Sequence, residues 1–92
     1  MTRSFRHRGL KRFYERGDPS RVGADLADRV AVALADLDVA RKPSDLDLPG
    51  YRLHPLKGDL EGFWSISISR NWRIIFRFDD GDASHVDLAD YH

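Results

Sequence analysis

The sequence predicts an α+β domain, with two N-terminal helices packed on one face of a C-terminal antiparallel sheet. Three observations carry this. Apolar residues recur every three or four positions in the first part of the chain. After Gly50 the period becomes two. An Asp-Gly pair, the signature of a tight hairpin turn, then separates the last two alternating runs.

The elements follow in order. Phe5, Leu10, Phe13 and Tyr14 have helical spacing and Gly17 is a natural stop, so a first helix is expected over 7–16. Asp18 before Pro19 reads as a cap and a first-turn residue. Val22, Leu26, Val30, Leu34 and Leu37 continue as one apolar stripe, so a second helix is expected over 19–38. "RKPSDLDLPG" is a loop holding one helical turn. "YRLH" sets Tyr51 and Leu53 opposite Arg52 and His54. In "WSISISRNWRIIFRF", Trp64, Ile66, Ile68, Trp72, Ile74 and Phe76 share one side. Ser65, Ser67, Ser69, Arg73, Ile75 and Arg77 share the other. "ASHVDLADY" supplies the last strand. The helices should cover the tryptophan and isoleucine face. The face left open is polar and cationic and carries an imidazole.

Ninety-two residues make one domain, spanning 1–92. With 41% hydrophobic residues the chain is globular and not disordered. It has no cysteine, which removes disulfides, thiolate metal sites and thiol nucleophiles, and fits a reducing, cytoplasmic setting. No stretch reads as a secretory signal or a membrane span. The net charge of zero hides blocks. Residues 1–16 carry six basic groups against one acidic, and residues 51–77 five against two. Residues 78–92 carry five aspartates and nothing basic. Basic blocks can attract a polyanion locally even when the global charge vanishes, and they equally suit a solvated mixed-charge surface.

The open face holds parts suited to cutting RNA without a metal. A base takes the ribose 2′-OH proton, cations stabilise the phosphorane-like transition state, and an acid protonates the departing 5′-oxygen. His54, Lys57, Arg73, Asp90, Tyr91 and His92 could supply these roles. Each alone has a plainer reading: His54 before Pro55 ends a strand, Arg73 pairs across the sheet, Lys57 sits in a solvated turn, and the tail is merely polar. His85, Asp87, Asp90 and His92 could instead bind a metal, but their spacing matches no strong metal signature.

Taken together, "SFRHRGLKRFYERG", "LPGYRLHPLKGDLEGFWSISISRNWRIIFRFDDGDA" and the closing "DYH" resemble HigB-type toxins of the RelE/ParE superfamily, over essentially the whole chain. The resemblance implies a RelE/ParE-like fold. It also implies a toxin of a bacterial toxin–antitoxin module: a ribosome-dependent, metal-independent endoribonuclease that enters the A site and cuts mRNA, with no cofactor. By motif, it places the site at His54 and Lys57 of "LHPLKG", Arg73 of "NWR", and Asp90, Tyr91 and His92 of "DYH". Asp90 or His54 is expected to take the 2′-OH proton and His92 to serve the leaving oxygen. Lys57 and Arg73 would hold the phosphate and Tyr91 would stack on or orient the nucleotide. The implied partner is a helix-turn-helix, HigA-like antitoxin, for which the basic first helix and the acidic second helix are both candidate surfaces. Arg6, Arg8, Lys11 and Arg12 are expected to face ribosomal RNA. The superfamily also contains gyrase inhibitors that do no RNA chemistry, and an RNA-binding module without cleavage is a further alternative.

Two features depart from a simple picture. Relatives often carry an aromatic and an acid where this chain has Leu88-Ala89. Strict alternation from Val86 and Leu88 also turns Asp90 and His92 toward the apolar side, which a bulge or bend at the strand end would correct.

Overall fold

A computed structural model describes residues 1–90. Two helices, α1 (Arg8–Arg16) and α2 (Ala27–Val39), precede a sheet of β1 (His54–Pro55), β2 (Trp64–Ser67), β3 (Trp72–Asp79) and β4 (Asp82–Asp90). The strands lie in chain order and every pairing is antiparallel. The expected α+β architecture is therefore present.

The first helix forms where the apolar spacing places it. His7 caps it, its Nδ1 accepting the Leu10 amide at 3.1 Å. Gly17 closes it in the left-handed region, φ 70°, where a side chain would be strained. Gly9 has a different reason to be glycine: an added Cβ would lie 2.8 Å from the Arg21 Cβ. The bare backbone lets α1 close on the 19–26 segment.

That segment corrects the second helix. It begins at Ala27 and not at residue 19. Val22 and Leu26 are buried as their spacing requires, but they sit in turns closed by the Pro19 and Gly23 carbonyls. Gly23 takes φ 98°, which no right-handed helix tolerates. The loop before the sheet holds the expected helical turn, a 3₁₀ turn at Pro43–Leu46. Of "YRLH" only His54 is strand, in β1 with Pro55, because Gly50 at φ 89° and Arg52 at φ 50° break the extended chain just before it. Its sidedness survives: Tyr51 and Leu53 pack against the core and Arg52 is exposed.

The core lies between the helices and one sheet face. Leu10, Val30, Ala33 and Leu37 meet Ile66, Ile74, Phe76 and Val86, all fully buried. Each such large side chain contributes ~1.5–3 kcal/mol through area removed from water. Two phenols also tie to α2. Tyr14 donates to Asp38 at 2.5 Å and Tyr51 to Asp36 at 2.6 Å. Burial, and then the Asp36 bond, push the Tyr51 phenol well above its ordinary range.

Asp80-Gly81 forms the two-residue hairpin between β3 and β4, both residues at positive φ. Beyond it β4 carries a bulge. Ile75 pairs with Asp87 but Arg77 pairs with Ser84, so His85 and Val86 together oppose Phe76, with His85 at φ 52°. The segment before α1 lies against this stretch. Thr2 bridges Ala83 and Phe5 bridges Val86, both parallel, covering part of the outer edge of β4.

The hairpin has an acid-sensitive end. The Ser84 hydroxyl holds the Asp79 carboxyl below the usual range, and Arg3 does the same for Asp82. A carboxyl lowered in the fold stabilises it above the unfolded value of about 4, and that contribution is lost as pH falls through the folded value. The melting temperature should therefore drop as pH falls from 5 to 2. Ser84→Ala, followed by thermal melts across that range, should flatten the drop; an unchanged profile would remove Asp79 from the effect.

Candidate active site

The face opposite the helices brings two of the expected residues together. In the register, His54 pairs with Ser65, Ser65 with Ile75, and Ser67 with Arg73. His54, Ser65 and Arg73 thus share one face on three adjacent strands. Arg73 reaches diagonally back, and its Nη1 donates to Ser65 Oγ at 3.0 Å. The same Nη1 lies 3.5 Å from His54 Nδ1. Ser65 Oγ lies 3.3 Å from His54 Nε2, and His54 Nδ1 lies 3.1 Å from the Arg52 carbonyl.

One proton arrangement satisfies the shorter contacts and leaves the 3.5 Å approach of Arg73 Nη1 to His54 Nδ1 without a hydrogen bond. Nδ1 carries the hydrogen and donates to the Arg52 carbonyl, Ser65 donates to Nε2, and Arg73 donates to Ser65. Ser65 is fully buried and its hydroxyl meets both the imidazole and the guanidinium. The sequence placed Ser65 on this face but did not single it out. Its signal was partial: alternation puts it on the face of His54 and Arg73, and only the register sets it between them.

The remaining candidates sit elsewhere. Lys57 is exposed at the start of a 3₁₀ turn (Gly58–Leu60), three residues beyond His54. Asp90 pairs with Trp72 at the end of β4, one rung from the Arg73–Ala89 pair and in phase with Leu88. The His85 bulge lies upstream of Val86, so it leaves the phase of Asp90 as alternation had it. Tyr91 and His92 lie outside the described residues. So does the fourth member of the metal-binding alternative; among the described residues no group of three acids and histidines is close enough to hold a metal ion.

The basic N-terminal block divides in two. Arg8, Lys11, Arg12 and Arg16 are exposed around a shallow hollow on α1 that also touches Glu15, and Arg12 lies 3.6 Å from Asp18. Arg6 instead lies over the Phe63 ring, 5.6 Å from its centre, with Arg77 at 5.8 Å from the same ring. Arg6 is thus part of the packing as well as of the charge.

A helix pair followed by a four-stranded antiparallel sheet defines the fold class, and solved structures share it. The fold is that of YafQ from E. coli strain BL21(DE3), at a TM-score of 0.61 and 13% identity over 98% of this chain and 91% of that one. It is also that of the YoeB/ParE toxin from Agrobacterium tumefaciens, at a TM-score of 0.63 and 18% identity over 100% and 99%. The family described as the RelE-like toxin of type II toxin–antitoxin system HigB matches residues 3–92, and this chain belongs to it. It is 47% identical to the Endoribonuclease HigB of Proteus vulgaris over the full length of both chains. It is 34% identical over 90 residues to Toxin HigB-1 of Vibrio cholerae serotype O1, covering 96% of this chain and 95% of that one. Among the described residues no helix is long and apolar enough to cross a membrane.

Proposed function

We propose that this chain is the toxin of a type II module and an endoribonuclease that cuts mRNA on the ribosome. The observation that carries the reading is the His54–Ser65–Arg73 cluster, an imidazole and a guanidinium sharing one buried hydroxyl on an open cationic face. The name of the Proteus vulgaris relative supports the same chemistry.

The reaction needs no group from outside the chain and the RNA. A base, His54 or Asp90, takes the 2′-OH proton. The 2′-oxygen bonds to phosphorus, the bond to the 5′-oxygen breaks, and His92 returns a proton to that oxygen. Arg73 and Lys57 hold the phosphate, Arg73 by its fork of donors, and Tyr91 orients the nucleotide. The protein acts in the cytoplasm, in the ribosomal A site, and is held in check by a HigA-like helix-turn-helix antitoxin.

Purified protein added to translating ribosomes should yield cut transcripts, while gyrase supercoiling in a parallel assay stays intact. Whole transcripts together with inhibited gyrase would reverse the assignment. The basic N-terminal block supplies ribosome affinity, through Arg8, Lys11 and Arg12 on α1 and Arg6 just before it. Because Arg6 also packs on Phe63, Arg8→Glu with Arg12→Glu is the cleaner test. The pair should weaken ribosome binding by about tenfold or more at low salt and by less at high salt. Equal binding by sedimentation at both salts would mean the patch serves something else.

A further inference from the structure

Beside the His54 cluster lies an open cleft of about 550 Å³ whose walls carry Arg29, Arg52, Arg70 and Arg73, together with the Ser67 and Ser69 side chains. Among the described residues no acidic one lines it. We propose that it is a second phosphate subsite, which binds the RNA backbone one step away from the scissile phosphate. The inference rests on the endoribonuclease reading and extends it along the substrate.

Four features support this. Arg73 belongs both to the cleft and to the His54 cluster, so the two sites are continuous. Arg29 comes from α2 and is anchored, its Nη1 donating to the Ile68 carbonyl at 3.1 Å, so one cation is held in place before any ligand arrives. Arg52 stands at φ 50°, a conformation that costs a non-glycine residue energy and that concentrates at functional sites. None of the ion pairs among the described residues involves Arg29, Arg52 or Arg70. The guanidiniums of Arg29, Arg52 and Arg70, gathered in one hollow, repel one another, and a bound polyanion relieves that cost.

The surroundings fit a nucleotide and not a bare anion. A second hollow shares Arg29, Gly50, Ser67 and Ile68 with the first and is walled by Val32, Pro49 and Tyr51, with Asp28 also lining it. A phosphate among the arginines leaves its ribose or base against this less polar wall. Arginine bonds to phosphate carry affinity and register without reading sequence, so the subsite positions mRNA of any codon.

The test uses a fluorescent, uncleavable 2′-O-methyl oligonucleotide of about ten residues, titrated by anisotropy against wild type and against Arg52→Gln with Arg70→Gln. The double variant should bind about tenfold more weakly whatever the sequence, and its slope of log affinity against log salt should be shallower by ~0.7 for each phosphate that is no longer neutralised. Circular dichroism confirms that the variant is folded. Unchanged affinity and slope would overturn the subsite, as would a wild type that fails to bind the oligonucleotide at low salt. A variant that loses a purified antitoxin but keeps RNA assigns the cleft to a protein, and also overturns it. Failure of the parent reading looks different: wild type would bind the oligonucleotide through these arginines and leave mRNA whole on translating ribosomes.

Discussion

Replacing Arg73 with alanine should lower mRNA cleavage on translating ribosomes by about 10²- to 10³-fold, the range seen when one preorganised donor to a developing oxyanion is removed. The side chain is half-buried on the open face, and its Nη1 meets Ser65 and His54. On the proposed mechanism the substitution removes a phosphate ligand, and in the structure it also frees Ser65, which loosens His54. Stability should change little, because the packing between helices and sheet is untouched. Arg73→Lys separates the two effects: it restores the charge but not the fork, so recovery should be partial. Cleavage by Arg73→Ala at close to the wild-type rate would take the guanidinium out of the chemistry and undo the reading built on the cluster.

Phe76→Ala should be the most damaging change to the fold. Phe76 is fully buried in the middle of β3, opposite Trp64, with its ring edge-on to Phe78 at 5.7 Å. Truncation leaves a cavity between the helices and the sheet and should cost ~3–5 kcal/mol. A domain of this size holds about 5–14 kcal/mol in all, so the loss is a large share of the total. Urea unfolding should show a much lower midpoint with a similar slope. A loss below about 1 kcal/mol would mean that the core closes over the gap, against the range for buried phenylalanines.

Much of the fold was legible because its cues are local. The α1 boundaries follow from Gly17, the hairpin from Asp80-Gly81, and the sidedness of the sheet from strict alternation between Trp64 and Phe78. The second helix starts later than the stripe of Val22 and Leu26 implies, because Gly23 interrupts it; burial and helicity are separate demands, and the turns meet the first alone. The positive φ of Arg52 and His85 had no sequence cue, since neither residue type requires it. The pairing of Thr2 and Phe5 with β4 was invisible, because a short bridged segment has no period to read. At the site, alternation was enough to put His54 and Arg73 on one face. That Ser65 would be wholly enclosed between them required the register, which depends on pairings far apart in the chain.

The docking of the leading segment onto β4 bears on how the protein is made. Its backbone and side chains find partners up to 82 residues later, as with the Ser4 carbonyl and the Val86 amide. At about 5–20 residues per second, that wait lasts roughly 4–16 seconds. During it the nascent chain has helices but an unfinished sheet, and Arg73 still lacks its outer neighbour strand. The open face thus has all its arginines before β4 is made, and it gains the strand that flanks Arg73 only when β4 pairs with β3.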